Sequence, residues 1–437
     1  MRTAGVISLG CSKNRVDSEN MLGMLREKGY TIVSDPKQAE LIIVNTCGFI
    51  EPAKEESIET IFEMAQYKES GRLKLLVVTG CLSQRYGEAL REEMPEVDAF
   101  MGVAEYSRLM EVIEQAEKGE RPLAMGEGER FCLGPRVLTT PAYSAYVKIS
   151  DGCDNRCSYC AIPLIRGRYR SRPMADILRE CEELARGGVS EITLIAQDTS
   201  RYGNDFPEHR LLLPELLKKV SDIEGIHWVR VLYCYPDTVD GALLDAIEQL
   251  PKVCKYMDLP LQHIDGKMLR EMNRRGSPEY IRQLIQSCHE RGISVRTTMI
   301  VGFPGESEAQ FETLERFIEE AKFDRMGAFT YSAEEGTPAA ERTDQIPEEV
   351  KQRRLDRLMT IQQGISLAAN QARVGEIAEV LVEGCDQGKY YGRSRMEAPE
   401  IDGKIWFKSQ KMLKPGEYVQ VKILEAYEYD LSGEAVL

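Results

Sequence analysis

The segment DGCDNRCSYCAIPLIRGRYRSRP, residues 151–173, places three cysteines within eight positions. These are Cys153, Cys157 and Cys160. A structural zinc site needs four ligands, and neither the neighbouring Cys132 and Cys181 nor the nearest histidine, His209, completes such a set. A four-iron, four-sulfur cluster held by three thiolates keeps one iron without a protein ligand, and a small molecule can chelate that iron. The spacing therefore favours an iron-sulfur cluster with one open iron.

Three further cysteines each follow a short apolar run, at the point where a β-strand would end. They are Cys11 after GVISLG, Cys47 after LIIVNT and Cys81 after LLVVTG. In an open parallel sheet the carboxyl ends of neighbouring strands meet at one edge, so one crevice can gather all three. Cysteines that were only small core residues would scatter over strand interiors. We therefore expect a second site of three thiolates, which again fits a cluster with one open iron.

The remaining cysteines have no mutual spacing that suggests ligation, and we expect them to be core or incidental thiols. They are residues 132, 181, 234, 254, 288 and 385.

The elements that must position these cysteines fall into three groups. Residues 1–120 alternate apolar runs with amphipathic stretches, which predicts an open parallel α/β domain. Residues 121–138 are rich in glycine and charge and are expected to form a linker. Residues 139–370 contain six apolar runs separated by helix-length stretches, which predicts a partial TIM-type (β/α)6 barrel with its chemistry at the carboxyl ends of the strands. Residues 371–437 alternate at period two between turns, as in a small antiparallel β-barrel.

The last helix of the barrel region is predicted over residues 349–370. Its apolar side chains share one helical face and are expected to pack on the barrel. They are Leu355, Leu358, Met359 and Ile365.

The pattern Cys153-x3-Cys157-x2-Cys160, with Tyr159 before the last cysteine and a strand before the first, resembles the radical S-adenosylmethionine (SAM) enzymes. The resemblance implies that SAM binds the open iron, beside Tyr159. Gly187 and Gly188 resemble the glycine-rich segment whose backbone approaches the methionine moiety, although a plain helix C-cap is an equally good interpretation.

The stretch IVGFPGES, residues 300–307 with Gly302, resembles the segment that contacts adenosine in the same enzymes. It lacks the Gly-Lys-Ser/Thr ending of a phosphate-binding loop.

Two such cysteine sets, one before the barrel and one in it, resemble those of the methylthiotransferases. The resemblance covers essentially the whole chain, since that family also ends in a small barrel called the TRAM domain. SLGCSKNRVDSE, residues 8–19, and CAIPLIRG, residues 160–167, resemble the branch that modifies an aspartate of the twelfth small-subunit ribosomal protein. The transfer-RNA branch typically has GCQMN and VPYTRG at these places, so a transfer-RNA adenosine methylthiotransferase is the alternative.

The resemblance implies two 4Fe-4S clusters, SAM and an electron donor such as flavodoxin or ferredoxin. The cluster of the barrel would cleave SAM, and the radical formed would take hydrogen from the β-carbon of the aspartate. Sulfur would then come by way of the first cluster and the methyl group from a second SAM. A carrier or scaffold of iron-sulfur clusters is the alternative from another class, and it would not form 5′-deoxyadenosine.

Four arginines follow the third cysteine. They are Arg166, Arg168, Arg170 and Arg172. They predict either a solvated basic loop or contacts to carboxylates of the cofactor or of the target aspartate.

The charge of the chain bears on its partner. The net charge is −15, and residues 371–437 contain nine Lys or Arg against twelve Asp or Glu, whereas a module that grips RNA should be basic. We therefore expect a basic protein substrate, a small-subunit ribosomal protein either free or within the subunit, and no direct nucleic-acid substrate. A generic acidic barrel without any role in recognition is the alternative.

The chain has no apolar run of about 18 residues, and its start, MRTAGVISLG, lacks the features of a signal peptide. We therefore expect a cytoplasmic protein without contact to a membrane, in which the cysteines are reduced.

Overall fold

The structure is a computed structural model that describes residues 2–126, 131 and 134–436. Part of the expected linker, including Cys132, lies outside the described residues. The first domain consists of β1 Thr3–Ser8, α1 Ser12–Glu27, β2 Thr31–Ile32, β3 Leu41–Thr46, α2 Glu51–Ala65, α3 Tyr67–Ser70, β4 Leu75–Gly80, α4 Cys81–Glu93, β5 Ala99–Met101, α5 Leu109–Glu117 and β6 Leu123–Ala124.

The described strands of the first domain form one parallel sheet in the order β2-β1-β3-β4-β5-β6. Its central strands are apolar and buried because helices cover both faces. Ile43 and Val77 pack into the apolar cluster on one face, and Ile42 and Val78 pack into the cluster on the other. This open parallel α/β domain is the one that the sequence predicts, except that its last strand, β6, lies in the part of the chain expected to form the linker.

The second domain consists of β7 Ser144–Lys148, β8 Ser150–Asp151, α6 Ile162–Arg166, β9 Arg170–Ser171, α7 Met174–Arg186, β10 Glu191–Ile195, α8 Leu213–Ser221, β11 Trp228–Val231, α9 Gly241–Gln249, β12 Tyr256–Gln262, α10 Gly266–Glu271, α11 Pro278–Glu290, β13 Ser294–Val301, α12 Glu308–Ala321, β14 Arg325–Thr330 and α13 Glu348–Gln371. Three short 3-10 helices complete the helical elements of the described chain: Pro36–Gln38, Tyr106–Arg108 and Pro236–Thr238.

Six parallel strands of the second domain follow one another in chain order. Among the described residues, β7, β10 and β11 form one parallel sheet and β12, β13 and β14 form another. A parallel bridge between Val229 and Val253 lies where the two sheets adjoin. The partial barrel of six units is therefore confirmed. The predicted last helix is α13, whose Leu358 is buried in the barrel core, and its neighbouring apolar residues pack around it.

The terminal domain is a closed barrel of β15 Ile377–Asp386, β16 Lys389–Arg393, β17 Ile405–Lys408, β18 Tyr418–Ala426 and β19 Leu431–Ala435. The pairing is antiparallel as predicted, except that β17 and β19 run parallel.

One apolar cluster joins all three domains. It contains Val16 of α1, Tyr146 of β7, Trp228 of β11 and Leu381 of β15. The cysteine sites of the first and second domains are therefore held in one packed body. No helix in the described part of the chain is long and apolar enough to cross a membrane.

Candidate active site between two cysteine triads

Cys11, Cys47 and Cys81, the N-terminal triad, lie at the carboxyl edge of three neighbouring strands. Cys11 caps α1 just after β1, Cys47 follows β3 directly, and Cys81 begins α4 just after β4. A Cβ on Gly10 would lie 2.8 Å from the Cβ of Cys47, and one on Gly48 would lie 2.7 Å from the backbone of Leu82. The absence of side chains at these two glycines therefore lets the three cysteine-bearing segments pack against one another.

Polar residues of α1 fix the backbone beneath the N-terminal triad. The Asn14 side chain donates hydrogen bonds to the carbonyls of Leu9 and Thr46, each at 3.0 Å. The Asn45 side chain donates to the Asn14 carbonyl and to the Ser18 hydroxyl, each at 2.9 Å. Side-chain amides can thus tie the ends of β1 and β3 to α1, where the regular ladder stops.

The electrostatic surroundings of the N-terminal triad differ from one thiol to the next. Burial raises the pKa of Cys81 to about 12 and also raises the pKa of Cys47. Desolvation acts in the same direction at Cys11, but the charges of Lys13 and Arg166 and two backbone N–H groups outweigh it and lower the pKa of that thiol. Binding of iron would favour the thiolate at all three, because a metal binds the deprotonated form.

Cys153, Cys157 and Cys160, the barrel triad, lie on the segment between β8 and β9, which pair at its two ends. The Cys153 N–H donates to the Gly167 carbonyl at 3.1 Å, and the Cys160 N–H donates to the Cys157 carbonyl at 3.0 Å. The segment thus turns back on itself and presents three sulfurs within a short length of backbone. Desolvation raises the pKa of Cys153 to about 12 and also raises that of Cys160.

Arg274 buttresses the barrel triad from the segment after α10. Its guanidinium lies 3.8 Å from the Cys157 sulfur, donates to the Tyr159 hydroxyl at 3.1 Å, and stacks 4.3 Å from the ring centre of Tyr235. The hydroxyl of Tyr235 lies 3.9 Å from the same sulfur. Cys157 is therefore the cysteine of this triad whose sulfur has polar side chains of the surrounding barrel beside it.

The donor sets fit iron-sulfur clusters better than a single ion. In the described ranges, no three His, Cys, Asp or Glu side chains converge as the ligands of one ion would. A four-iron cluster makes a different demand, since each of its thiolates binds a separate iron. Two groups of three cysteines, each on closely packed backbone segments, meet that demand.

A cavity of about 770 Å³ is lined by residues that neighbour both triads in the sequence. Phe49 and Ile50 follow Cys47, and Tyr159 precedes Cys160. The ends of β12, β13 and β14 and one side of α13 complete the wall. A small molecule in this cavity would lie within reach of groups from both domains.

Gly302 lies at the end of β13, close to this cavity. Its backbone is left-handed, with φ +70°, and its N–H donates to Glu306 at 2.7 Å. Glu306 is fully buried and also accepts a hydrogen bond from Arg354 at 2.7 Å, and its other oxygen lies 3.0 Å from a ring nitrogen of His263. These buried contacts fix the turn after β13, whose sequence resembles the segment that contacts adenosine in radical SAM enzymes.

Comparison with known proteins reveals relatives that match along the whole chain. A ribosomal protein uS12 methylthiotransferase RimO of Thermoanaerobacter sp. (strain X514) is 51% identical over 437 residues, which cover 99% of this chain and 100% of that protein. The protein of the same name from Desulforamulus reducens is 52% identical over 443 residues, 99% of each chain. The chain belongs to the RimO family of methylthiotransferases.

Family models match each of the three domains, and two solved structures share the fold. Residues 3–102 match the uncharacterised protein family UPF0004, residues 147–318 match the Radical SAM superfamily, and residues 374–436 match the TRAM domain. The radical SAM methyltransferase TsrM of Kitasatospora setae has a TM-score of 0.60 at 17% identity, covering 78% of this chain and 77% of its own. The cobalamin-dependent radical SAM enzyme OxsB has a TM-score of 0.52 at 12% identity, covering 83% and 56%. At these identities the two structures show a shared fold only.

Gly187 and Gly188 do not join the site of this RimO family member. They end α7, where their N–H groups donate to the carbonyls of Glu183 and Ala185, each at 3.0 Å, and Gly188 has φ +98°. This turn precedes β10 and so lies at the amino end of the strand, whereas the cysteine segment lies at the carboxyl ends. The structure therefore favours the helix C-cap, the second of the two interpretations from sequence.

The four arginines after the barrel triad divide into two kinds. Arg166 and Arg172 are buried and donate to carboxylates of the protein itself. Arg168 and Arg170 are exposed. The prediction of a solvated basic loop therefore holds only for Arg168 and Arg170. The carboxylates that bind Arg166 and Arg172 belong to the chain and not to a ligand.

Sequence reasoning missed two residues of the site. The Lys13 ammonium lies 3.1 Å above the ring centre of Tyr233, so the residue two after Cys11 reaches the segment after β11. Lys13 lies within the family-specific segment of residues 8–19, and this position could have marked it as a candidate site residue. Arg274 gave no signal, because the sequence around it is that of an ordinary turn. The remaining described cysteines are buried in the core, apart from the exposed Cys385.

Proposed function

We propose that this chain attaches a methylthio group to the β-carbon of an aspartate of ribosomal protein uS12, the substrate in the names of its full-length relatives. The observation that carries the proposal is that residues beside both cysteine triads line one cavity. Sulfur insertion at an unactivated carbon needs a radical and a sulfur source close together, and a shared cavity allows this.

In this proposal Cys153, Cys157 and Cys160 hold one 4Fe-4S cluster, and Cys11, Cys47 and Cys81 hold the other. When bound, the first would supply the electron that cleaves SAM, and the second would supply or relay sulfur. The electron would come from a donor such as flavodoxin or ferredoxin. Tyr159 and Gly302 are the proposed SAM contacts, because each lies beside the cavity at the barrel end that carries the cysteine segment.

The work left to the side chains is to position the reactants and exclude water. Much of the cavity wall is apolar, with Ile50, Ile300 and Phe329 among its residues. The one deeply buried carboxylate in the described wall, Glu334, lies 3.0 Å from the Arg85 guanidinium and is neutralised by it. A wall of this kind protects a reactive carbon radical from solvent and leaves no uncompensated charge beside it.

The three domains would divide the task. Residues 1–120 would hold the sulfur-delivering cluster, residues 139–370 would bind SAM, and residues 371–437 would help to recognise the protein substrate, either free or in the ribosomal subunit. Action on a ribosomal protein would take place in the cytoplasm.

Mass spectrometry of cells with and without the gene tests this proposal. We expect uS12 to carry one methylthio group on an aspartate only when the chain is present, and transfer-RNA nucleosides to be the same in both strains. Complementation with a Cys157→Ala variant should fail, which ties the modification to the barrel triad. Loss of a methylthiolated adenosine in place of the uS12 mark would instead establish the transfer-RNA alternative.

A further inference from the structure

Arg166 belongs to the barrel but lies where the barrel packs against the first domain, with partners in both. It ends α6, whose residue Ile165 and the preceding Ala161 are buried in the same apolar cluster as Tyr106 and Leu109. The helix that follows the barrel triad, α6, therefore packs into the N-terminal domain. This packing places Arg166, the last residue of α6, beside the N-terminal triad.

The guanidinium of Arg166 contacts a thiol of that triad. Its Nη2 donates to the Asn14 side-chain oxygen at 2.7 Å and to Asp17 at 3.0 Å, and it lies 3.9 Å from the sulfur of Cys81. Its Nη1 donates to Asp151 at 3.0 Å. Only 2% of the side chain is exposed, so the position of the cation is set by these contacts.

Four buried charges hold this arrangement. Asp17 and Asp151 each bind Arg166, and each also binds Lys148, at 2.5 and 3.0 Å. The set carries two positive and two negative charges, so burial is compensated within the group. Both carboxylates contact the guanidinium directly, and together they fix the direction in which its remaining N–H groups point.

We propose that Arg166 is a positioning residue through which the barrel sets the reduction potential of the cluster on the N-terminal triad. This rests on the proposed function, which assigns that triad to a cluster. A reduced cluster carries one more negative charge than an oxidised one, so a fixed cation and an N–H donor at a ligand sulfur stabilise the reduced form. Arg166 thereby raises the potential, and it does so only when the two domains are docked.

Arg274 provides the comparison within the same chain. It lies 3.8 Å from Cys157 of the barrel triad and is likewise buried, and within the described part of the chain it does not contact the N-terminal triad. Each triad thus has an arginine beside one of its sulfurs. Replacing the two arginines in turn should change two different clusters.

The experiment uses the full chain with Cys153, Cys157 and Cys160 replaced by Ala, so that it carries the N-terminal cluster alone. Iron content should be about four per chain on the stoichiometry of one cluster. The potential is then measured by redox titration followed by electron paramagnetic resonance, with Arg166→Gln, Arg166→Lys and, as the matched control, Arg274→Gln.

We expect Arg166→Gln to favour the oxidised cluster on the order of tenfold, a shift of about 59 mV to lower potential for a one-electron couple. Arg166→Lys should shift it less, since the charge remains, and Arg274→Gln should leave it unchanged. Arg166→Gln leaves two buried carboxylates with one cation, and Arg166→Gln combined with Asp151→Asn restores the charge balance. The double variant should shift the potential in the same direction but by less, because a nearby negative charge is removed together with the cation and the N–H donor at Cys81.

Two failures are distinguishable. An unchanged potential in the Arg166 variants that hold four irons would overturn the proposal and leave Arg166 a purely structural residue. An iron content far below four in the parent with the three alanines would instead contradict the ligand assignment, and with it the proposed function.

Discussion

Arg393 of the terminal barrel donates two hydrogen bonds to Glu191, the first residue of strand β10, at 2.7 and 3.2 Å. The side chains are 2% and 0% exposed. Glu191 also accepts a hydrogen bond from the Ser144 hydroxyl at 3.0 Å. A two-point ion pair that excludes water therefore joins the TRAM barrel to the radical SAM barrel and fixes their relative orientation.

Breaking this pair should destabilise the protein strongly. Arg393→Ala leaves Glu191 buried with only the guanidinium of Arg230 nearby, at 3.5 Å, so the loss should cost about 3 kcal/mol, the lower end for a broken buried pair. Arg393→Met together with Glu191→Gln should cost less, because the buried carboxylate is removed with its main partner and Arg230 keeps its hydrogen bonds to the carbonyls of Ser394 and Arg395. Urea unfolding measures both, with Arg353→Ala on the exposed side of α13 as the control, expected within about 0.5 kcal/mol of the parent. Equal effects of Arg393→Ala and Arg353→Ala would mean that the pair contributes nothing.

Stability should fall in acid over a defined window. Burial alone would raise the pKa of Glu191 and of Glu397, but the charges of Arg393 at the first and of Arg373 and Arg325 at the second outweigh it and lower each pKa from 4.5 to about 2. The unfolded chain therefore binds more protons between pH 4.5 and 2, so this stabilisation is complete above pH 4.5 and is lost as the pH falls through 2.

The size of the acid effect follows from the shifts. Each carboxyl should contribute on the order of 3 kcal/mol to the free energy of unfolding at neutral pH. Unfolding curves at a series of pH values give the slope of the free energy of unfolding against pH. The double variant Arg393→Met with Glu191→Gln should make this slope shallower. A parent and a variant with the same slope would contradict the assignment to Glu191.

The two cysteine triads should fail in different ways. Cys157→Ala should abolish formation of 5′-deoxyadenosine, whereas Cys47→Ala should retain it and lose methylthiolation. Each should reduce the iron content from about eight to about four per chain. Cys385→Ala, at an exposed cysteine of the terminal barrel, is the control and should keep both activities. Methylthiolation by the Cys47→Ala variant would remove Cys47 from the site.

The sequence predicted the positions of the cysteines because those positions follow from topology. Once β1, β3 and β4 are parallel neighbours, residues that follow them must share an edge, whatever the details of packing. The sequence singled out Arg166 with three other arginines, but it could not predict the contact of Arg166 with Cys81. That contact depends on how α6 of one domain packs into another, and no local pattern encodes it.

The net charge of the terminal barrel was a weaker guide to its partner than the cysteine positions were to the candidate site. Six of its twelve acidic residues form ion pairs with arginines or a histidine, and most of these lie at or near the domain boundary. They are Glu376, Glu379, Glu383, Glu397, Glu400 and Asp402. Lysines such as Lys408, Lys411 and Lys414 are exposed. The acidic excess in the sequence thus reflects docking between domains as much as the surface offered to a partner.

Gly302 allows a test of the proposed SAM contact in which backbone strain is controlled. A Cβ at this position would lie 2.3 Å from Cγ of Lys351, a residue of the cavity wall whose ammonium donates to the Tyr331 carbonyl at 2.9 Å. Gly292 has a similar backbone, with φ +65° against +70°, but a Cβ there would meet no described atom within 4 Å. The two glycines therefore share the strain of a left-handed residue and differ in what surrounds them.

Alanine at Gly292 should cost about 1–2 kcal/mol of stability, since it forces an L-residue into the left-handed region, and Gly302→Ala should cost more, because it must also displace Lys351. Only Gly302→Ala should also weaken SAM binding, because it displaces Lys351 and crowds the turn after β13. Isothermal titration with SAM, together with urea unfolding, separates the two effects. If both variants bind SAM as the parent does, Gly302 does not contribute to the SAM site, and the cavity near Tyr159 must bind the cofactor without the turn after β13.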